Sequence, residues 1–558
     1  MTTVDHTRAP RPWAHALNLV GGVCLVGLAV AGVMIVMDLG RTDLGQLNIF
    51  TYLYLSYEPT HLLLLLLLTV LLARWLPRQT ETPAWAEWIE RWPQRSPKLW
   101  LAGLAAGVLL VAWAGAHLVY QSFPFSMDEH TVLFQAKILA AGHFTAPVPE
   151  EWRDLGKALA PVFTSYLPES GSWVSNYLPL YATLLVPFVW LGEPALLNPL
   201  LAAATLFVLA AIARRLWPEE RDAPVVCVLL LAASPQFLIT AMSGYSMPAH
   251  LFFNLLWLWL YVRDDRLGWL LAPWVGLVAM GLHAFVPHAL FAIPFLLRIV
   301  LRRRWLWAAY FASVYLLASA LWIACQRFVN PTTDSFVTSH FGLPGAMEFL
   351  NLAANAAQIV AWQPLALSIL VGLTLLRWRG QPPLIHDLAW SFLLSLAFYL
   401  SLVTGAWQGH GWGARYTFAA LGNLVLLAVP GWRLFTEALD RSRAQTLLAL
   451  SVGFALLAQL PLRASQVSEV IRPFAKTQEY VASLPEPLVV VPAGAVWYGQ
   501  DIARNDPFLT NSPKMLLLHR LSRPQMLGLQ ERGPVRVLTA EELVELGMFP
   551  TRPRPRPR

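Results

Sequence analysis

Two adjacent carboxylates, Asp128 and Glu129, stand in the segment MDEHTVLFQAKILAAG, which closely follows a long apolar run. A charged group close to lipid is costly, so such a pair usually lines a wet cavity, binds a cation or acts as a base. The alternative is an ordinary loop start, in which Asp128 caps the helix that follows and Gly142 ends that helix. Position alone leaves both interpretations open.

An arginine and a tyrosine, Arg415 and Tyr416, stand late in the chain in GAWQGHGWGARYTF, where another apolar run begins. The guanidinium fork of an arginine can bind two oxygens of a phosphate at once, and a tyrosine adds a hydroxyl. The glycines that precede them indicate a backbone held close to another group. Equally, both residue types are common in the interfacial belt of membrane proteins, where they anchor helices.

Histidines lie at the same ends of the apolar runs, among them His250, His283, His288 and His410. Such a cluster could donate hydrogen bonds to a pyrophosphate, bind a metal or assist proton transfer. No pair has the spacing of a recognised metal motif, and a single histidine at this depth is more often a hydrogen-bonded interfacial residue. His250 and His288 are the strongest candidates, because a proline stands beside each of them at a helix start.

The composition shows which solvent must surround the elements that position these residues. Of 558 residues, 13% are charged and 56% are hydrophobic, far from the balance of soluble domains. The apolar residues form runs of roughly 16 to 24, the length that a helix needs to cross about 30 Å of hydrocarbon. Barrel strands would alternate instead. The sequence therefore predicts an all-α polytopic membrane protein with about thirteen transmembrane helices.

The distribution of Lys and Arg predicts the orientation of these helices. The predicted spans are residues 14–37, 59–75, 99–121, 196–216, 223–241, 247–262, 268–283, 287–301, 305–325, 355–377, 388–404, 416–436 and 446–462. With the N-terminus in the cytoplasm, most basic residues of the short loops lie inside, as the positive-inside rule requires. Asp128, Glu129 and Arg415 then face the outer side of the membrane. The net charge of +7 lies largely in these loops and in an Arg-Pro tail, so no nucleic-acid partner is expected.

One apolar segment, residues 176–193, does not fit this scheme. It is apolar enough to cross the membrane, but counting it as a span would place Arg214 and Arg215 outside. We therefore predict a re-entrant or interfacial helix. The alternative is a fourteenth span with a broken charge rule downstream.

The three cysteines have neither the spacing of a disulfide framework nor that of zinc ligands.

The spans divide the chain into three predicted parts. Residues 1–98 contain two extra N-terminal helices and a cytoplasmic linker, and residues 99–462 form a transmembrane module with a long outer loop at 122–175. Residues 463–558 form a small periplasmic domain. Its β-branched run PLVVVPAG and the acidic, helix-like TAEELVEL predict an α/β fold, and the final TRPRPRPR is predicted to be disordered.

Three of these segments resemble a known class of enzymes. MDEHTVLFQAKILAAG, NYLPLY before an apolar helix, and GARYTFAALGNLVLLAVPG resemble the GT-C class of membrane glycosyltransferases, which use polyprenyl-phosphate sugars. Within this class the chain is most similar to the bacterial group related to protein O-mannosyltransferases and lipid A aminoarabinose transferases. The resemblance covers roughly residues 99–462 and implies a GT-C-like bundle, with the first outer loop catalytic and the C-terminal domain as an appendage.

The resemblance also implies an activity and roles for particular residues. It implies inverting transfer of a sugar from a polyprenyl-phosphate carrier to a lipid, glycan or protein acceptor at the periplasmic face. Asp128 would be the base, with Glu129 assisting or binding a divalent cation, and Arg415 would hold the lipid phosphate. The further residues that would contact the phosphate are Tyr416, His250, His288 and Tyr177. Other candidate residues of the site are Lys137, His410 and His283.

Two departures from the resemblance keep other functions open. Some relatives bind the lipid phosphate through a Lys-Pro-Pro stretch, which is replaced here by Tyr177, Leu178, Pro179 and Leu180, so the lysine is missing. Val286 stands where relatives commonly carry an arginine before a proline. A transporter or flippase of a lipid-linked glycan is one alternative, and a non-catalytic member of the class is another. The inner halves of the spans are nearly free of charge, which favours interfacial chemistry over a path through the membrane.

Overall fold

The computed structural model describes residues 95–329, 357–400, 411–439 and 441–551, together with Leu63 and Leu67. The two spans predicted within residues 1–98 lie outside this part of the chain apart from those two leucines, and so do His410 and residues 552–558 of the terminal TRPRPRPR. The described helices are α1 (Pro97–Leu118), α2 (Met127–Ala140), α3 (Gly156–Leu159), α4 (Leu180–Trp190), α5 (Leu197–Leu216), α6 (Ala223–Ala232), α7 (Pro235–Ala241), α8 (Met247–Val262), α9 (Arg266–Met280), α10 (Val286–Leu301), α11 (Trp305–Val329), α12 (Leu365–Leu376), α13 (Pro383–Leu400), α14 (Leu421–Leu439), α15 (Arg441–Phe454), α16 (Leu460–Ser483), α17 (Arg523–Gly528) and α18 (Ala540–Glu545).

Several helices are long and apolar enough to cross a membrane, so the protein is a multi-pass membrane protein. Among the described residues five pass this test, and six if α6 and α7 count as one bent span. The five are Pro97–Leu118, Pro194–Leu216, Trp305–Val329, Arg415–Leu439 and Ala444–Ala482. Other predicted spans form helices of 12 to 18 residues, shorter than the roughly 20 residues of a perpendicular crossing.

The predicted span at 223–241 is broken in two. Its halves, α6 and α7, are bent by 59° relative to each other. Ser234 caps α7 by accepting a hydrogen bond from the backbone N–H of Phe237, and Pro235 occupies the first helical position. A proline fits at the start of a helix but interrupts one in the interior, because it lacks an N–H.

The doubtful segment 176–193 forms the short helix α4, which has 11 residues. At 1.5 Å per residue it is about 16 Å long, roughly half the thickness of the hydrocarbon layer. Tyr181 and Leu185 of α4 share a buried apolar cluster with Val132 of α2. Its length matches a re-entrant or interfacial helix.

The outer loop contains a small antiparallel sheet of β1 (Ala146–Pro147), β2 (Thr164–Leu167) and β3 (Ser172–Ser175), in the order β1-β3-β2. The C-terminal segment forms a parallel sheet of β4 (Leu488–Val491), β5 (Lys514–Leu517) and β6 (Val535–Val537), in the order β5-β4-β6. All four residues of the central strand β4 are buried, as expected for an apolar run between two parallel neighbours.

The boundary predicted at residue 463 lies inside a helix. A π-helical turn, Ala455–Gln459, joins α15 to α16. Together they form one continuous helix over Ala444–Ala482. The C-terminal sheet follows only after Ser483, where α16 ends.

The outer loop and the C-terminal sheet share one hydrophobic core. Phe134 and Trp173 pack in the same cluster as Leu488 and Leu516. The indole nitrogen of Trp173 donates a hydrogen bond of 2.7 Å to the carbonyl of Pro507. These two parts, which the sequence analysis treats separately, therefore form a single unit over one end of the helix bundle.

Candidate active site at one end of the bundle

The two adjacent carboxylates begin α2, and the cap of this helix decides what each can do. Ser126 is the N-cap: its hydroxyl accepts from the backbone N–H of Glu129, and the Glu129 carboxylate accepts from the backbone N–H of Ser126, both at 3.3 Å. This reciprocal arrangement is a capping box. The alternative in which Asp128 caps the helix is therefore wrong, because Ser126 is the cap, and the carboxylate of Asp128 binds other groups. Gly142, with φ of +81°, follows the end of α2 as expected.

Asp128 binds two residues from distant parts of the chain. Its Oδ1 accepts a short hydrogen bond from the hydroxyl of Tyr177, and its Oδ2 accepts one of 3.1 Å from Nη2 of Arg415. The side chains of this ion pair are 16% and 7% exposed. The structure thus brings the predicted base and the predicted phosphate ligand together at the end of the bundle.

Arg415 has hydrogen-bonding capacity that the described residues do not use. Nη2 also donates to the hydroxyl of Tyr416 at 3.0 Å. The guanidinium carbon lies 5.1 Å from the centre of the Tyr245 ring and 4.7 Å from that of Tyr416. Nε and Nη1 are buried and have no hydrogen-bond partner among the described residues. Buried donors without partners are costly, so this side of Arg415 suits an anion.

Two of the glycines before Arg415, Gly411 and Gly413, lie in the described part of the chain and make room for protein groups. A Cβ at Gly411 would clash with the side chain of Arg415. One at Gly413, whose φ is +60°, would clash with Gln236. The close approach that the sequence predicts therefore exists at these two glycines, and the neighbour in each case is a side chain of the protein.

Glu129 binds backbone groups instead of the side chains that bind Asp128. It is 2% exposed, and its Oε2 accepts a hydrogen bond of 2.7 Å from the backbone N–H of Gly244. Burial raises the pKa of this carboxyl to about 7, although hydrogen bonds from Gly244 and Ser126 and the charge of Arg504 act in the opposite direction. Among the described residues, no group of three His, Cys, Asp or Glu side chains could hold a metal. The divalent cation at the two carboxylates stays a prediction.

Tyr177 begins the stretch that replaces the Lys-Pro-Pro of some relatives. Its ring stacks on His283 with the ring centres 3.8 Å apart. Burial raises the pKa of the Tyr177 hydroxyl, so the group stays protonated and donates to Asp128. Nδ1 of His283 is buried without a hydrogen-bond partner in the described part of the chain. Both predicted residues therefore lie beside the carboxylate.

The two favoured histidines differ in their environments. His288 is fully buried, with Nδ1 2.8 Å from Oδ1 of Asn254 and Nε2 2.7 Å from the hydroxyl of Tyr315. Both ring nitrogens are thus engaged between helices, which contradicts a role for His288 in binding phosphate. His250 is also buried, but neither of its nitrogens has a partner among the described residues.

Lys137 does not join the site. It lies nine positions after Asp128, about 13 Å further along α2. Its ammonium group forms a half-exposed ion pair of 3.1 Å with Asp506 of the C-terminal segment. The prediction that Lys137 belongs with the site residues is therefore wrong, because its position along the helix axis separates it from them.

Two residues of the site were missed. Tyr245, from the loop SGYS between α7 and α8, contacts Arg415 as described above, and only its polar loop in an apolar stretch could have indicated it. Arg504, from YGQDIARNDPFL, is 8% exposed and donates to the backbone carbonyls of Pro124 and Phe125. It thereby anchors the residues that lead into α2. Burial lowers the pKa of Arg504 to about 10.

The chain is similar to two crystal structures of ArnT from Cupriavidus metallidurans. The apo structure is 12% identical, with a TM-score of 0.49 over 81% of this chain and 91% of that chain. The structure bound to undecaprenyl phosphate is 14% identical, with a TM-score of 0.46 over 73% of this chain and 85% of that chain. ArnT is a lipid A aminoarabinose transferase. No protein-family model and no curated protein sequence matches the chain. Likeness at this level identifies neither a substrate nor a reaction for this chain.

Proposed function

We propose that this protein is an inverting glycosyltransferase that moves a sugar from a polyprenyl-phosphate carrier to an acceptor at the periplasmic face of a bacterial inner membrane. The observation that carries the proposal is the arrangement of Asp128 and Arg415. A carboxylate and a buried guanidinium with unused donors lie side by side. One can accept the proton of an attacking hydroxyl, and the other can bind the phosphate that leaves.

The position of Arg415 suits a phosphate on a lipid tail. This residue begins the apolar helix Arg415–Leu439, so its guanidinium lies at a mouth of the bundle while a polyprenyl chain stays in the hydrocarbon. Nε and Nη1 would donate to phosphate oxygens, and the neighbouring hydroxyl of Tyr416 would add a further contact. His250, with both nitrogens unpartnered among the described residues, is a further candidate.

The site's end of the bundle supports the periplasmic assignment. α8 and α10 begin at this end, and the basic residues Arg263 and Arg302 follow directly at their opposite ends. Basic residues concentrate on the cytoplasmic side of membrane proteins. The N-terminus is then cytoplasmic, and the C-terminal sheet lies with the site on the periplasmic side.

In the proposed reaction the two halves of the ion pair act in turn. The phosphate of the donor binds Arg415 and competes with Asp128 for the guanidinium. The released carboxylate takes the proton from the acceptor hydroxyl while the hydroxyl oxygen attacks the anomeric carbon. The bond between this carbon and the phosphate oxygen breaks, and the phosphate leaves with its charge held by Arg415. A single displacement inverts the anomeric carbon.

The proposal is tested by transfer assays with purified protein and polyprenyl-phosphate sugars. Asp128→Asn nearly preserves shape and removes the proton acceptor, so transfer should fall by roughly a hundredfold or more. Asp154→Asn, in a more exposed ion pair of the same outer loop, is the matched control. Full activity of Asp128→Asn would refute this residue as the base. Activity of the wild-type protein that is unchanged in EDTA would exclude an essential divalent cation at the two carboxylates.

The same preparation separates the alternatives. Binding of undecaprenyl phosphate by the wild-type protein without any sugar transfer would indicate a non-catalytic protein. Movement of a fluorescent lipid-linked glycan across vesicle membranes, again without transfer, would indicate a flippase. Either result would overturn the proposed function.

A further inference from the structure

The loop of residues 243–246 connects α7 to α8 directly beside the site. On one side it is held by Glu129, whose Oε2 accepts a hydrogen bond of 2.7 Å from the backbone N–H of Gly244. A Cβ at Gly244 would lie 3.2 Å from this same oxygen, so the contact leaves little room for a side chain. The other carboxylate oxygen accepts from the backbone N–H of Ser126. Glu129 therefore ties the start of α2 to the loop.

The opposite side of the loop is held through its carbonyl groups. Nδ2 of Asn198 donates to the carbonyls of Ser243 and Tyr245, both at 2.7 Å. The hydroxyl of Tyr181 contacts Oδ1 of Asn198 at 3.0 Å and the carbonyl of Gly244 at 3.1 Å. The loop is thus clamped between Glu129 and a buried pair of polar residues from α4 and α5.

The clamped loop carries the aromatic ring that faces the phosphate-binding group. Tyr245 is 4% exposed, and its ring centre lies 5.1 Å from the guanidinium carbon of Arg415. An arginine over a tyrosine ring is attracted by the ring's negative face, and the attraction is strongest where water is excluded. A displacement of the loop would therefore change the orientation of Arg415.

We propose that Glu129 is a positioning residue that holds loop 243–246 so that the ring of Tyr245 orients Arg415 for the phosphate of the donor. This inference rests on the proposed function of Arg415. The two adjacent carboxylates then have separate tasks, because successive side chains on a helix point about 100° apart. Asp128 faces the reacting groups, and Glu129 faces the scaffold.

The contacts of Glu129 distinguish this role from that of a base or a cation ligand. Both of its carboxylate oxygens accept hydrogen bonds from backbone N–H groups. A base or a cation ligand needs a carboxylate, since an amide neither accepts the proton nor binds a cation as strongly. An anchor for a backbone N–H needs only an oxygen in the right place. Glutamine can supply that oxygen to the backbone N–H of Gly244, and it loses only the longer hydrogen bond of 3.3 Å from Ser126.

The test compares Glu129→Gln with Glu129→Ala in donor binding and turnover. Glu129→Gln should keep transfer within about threefold of wild type. Glu129→Ala should raise the KM for the polyprenyl-phosphate sugar and weaken binding of undecaprenyl phosphate by roughly tenfold or more, with a smaller change in kcat. Tyr245→Phe, which keeps the ring face, should behave like Glu129→Gln, and Tyr245→Leu like Glu129→Ala. Glu169→Ala, at an exposed position of the outer loop, is the control.

Two results would overturn the inference while leaving the proposed function intact. The first is a Glu129→Gln variant as inactive as Asp128→Asn, which would assign Glu129 to the chemistry. The second is a Glu129→Ala variant with unchanged KM and lipid-phosphate binding. Failure of the wild-type protein both to bind undecaprenyl phosphate and to transfer sugar would instead refute the proposed function.

A stability measurement tests the clamp without any substrate. If Glu129 and Tyr245 act through one loop, the effects of Glu129→Ala and Tyr245→Leu on thermal unfolding in detergent should be clearly non-additive. Additive effects would overturn the inference whatever the activity of the protein. The conservative variants Glu129→Gln and Tyr245→Phe serve as folded controls in the same double-mutant cycle.

Discussion

Asp128 and Arg415 are 287 positions apart in the chain, yet Oδ2 of one lies 3.1 Å from Nη2 of the other. Each group restrains the other while they are paired. A carboxylate that binds a guanidinium is a weaker base than a free one, and a guanidinium that binds a carboxylate has less capacity for phosphate. The anionic donor should therefore bind Arg415 and free Asp128 in the same step, so that the base becomes active only when the donor is present.

The first prediction concerns the guanidinium fork of Arg415. Arg415→Lys keeps the positive charge beside Asp128 but loses the planar fork and the unused Nε and Nη1 donors. We expect the KM for the polyprenyl-phosphate sugar to rise about tenfold or more, in line with the loss of charge-assisted hydrogen bonds. Steady-state kinetics with Arg532→Lys as the half-exposed control measure the effect. An unchanged donor KM would remove Arg415 from the phosphate site.

The second prediction concerns the hydroxyl that binds the base. Tyr177→Phe removes the hydrogen bond to Asp128 but keeps the ring that stacks on His283. We expect kcat to fall about three- to tenfold with little change in donor KM, because the carboxylate loses an orienting partner and keeps Arg415. Tyr177→Ala should also lower the unfolding temperature, since it removes the stacking. A Tyr177→Phe variant that changes only the donor KM would place this tyrosine at the phosphate instead.

The chemistry of single residues allowed part of the site to be predicted. A carboxylate pair near lipid is costly in an ordinary structural role, and an arginine at the start of an apolar run can bind an anion. Asp128 and Arg415 do meet. The break between α6 and α7 also has a local signal, because Ser234 and Pro235 form a helix start inside an apolar stretch.

The direction of a side chain and contacts between distant segments could not be predicted. His288 and Lys137 have suitable residue types, but one is bonded on both nitrogens between helices and the other lies too far along α2. Arg504 was missed because its partners, the carbonyls of Pro124 and Phe125, are distant in sequence. Nothing in the local pattern of either segment indicates that they are neighbours.

The third prediction is a pH dependence of stability. Burial raises the pKa of Glu129 from 4.5 to about 7, so the folded protein holds a proton between these values that the unfolded chain releases. The contribution of this carboxyl to stability is therefore complete below pH 4.5 and falls as the pH rises to about 7, by roughly 3 kcal/mol in total. The ionisable groups that act on or respond to Glu129 are Asp128, Arg504, Tyr120, Tyr181 and Tyr245.

Glu129→Gln should remove this dependence. The variant has no carboxyl to ionise, so its unfolding temperature should change less between pH 5 and pH 8 than that of the wild type, and at pH 8 the variant should be the more stable protein. Thermal unfolding in detergent at several pH values measures both. Equal pH dependence in wild type and variant would show that Glu129 does not titrate in this range.

The fourth prediction compares two contacts that the C-terminal segment makes, one with the residues that lead into α2 and one with α2 itself. Arg504→Ala leaves the carbonyls of Pro124 and Phe125 without these donors, so we expect a loss of about 2 to 4 kcal/mol in stability and a loss of transfer. Lys137→Ala removes a half-exposed ion pair and should cost less than about 1 kcal/mol. Thermal unfolding and sugar transfer measure the two effects. Similar losses in both variants would contradict the anchoring role of Arg504.

The fifth prediction separates the two buried histidines. His288→Leu leaves Asn254 and Tyr315 without their shared partner, so its unfolding temperature should fall, while the donor KM of the surviving folded protein should stay close to that of the wild type. His250→Leu removes two ring nitrogens that have no partner among the described residues, so stability should be unchanged or higher. If His250 contacts the donor's phosphate, His250→Leu should also raise the KM for the donor. The reason for the expected pattern is that both ring nitrogens of His288 already have partners, so this ring has no hydrogen bond left to offer a substrate. The opposite pattern, an unstable His250→Leu and a weakly binding His288→Leu, would reverse the assignment.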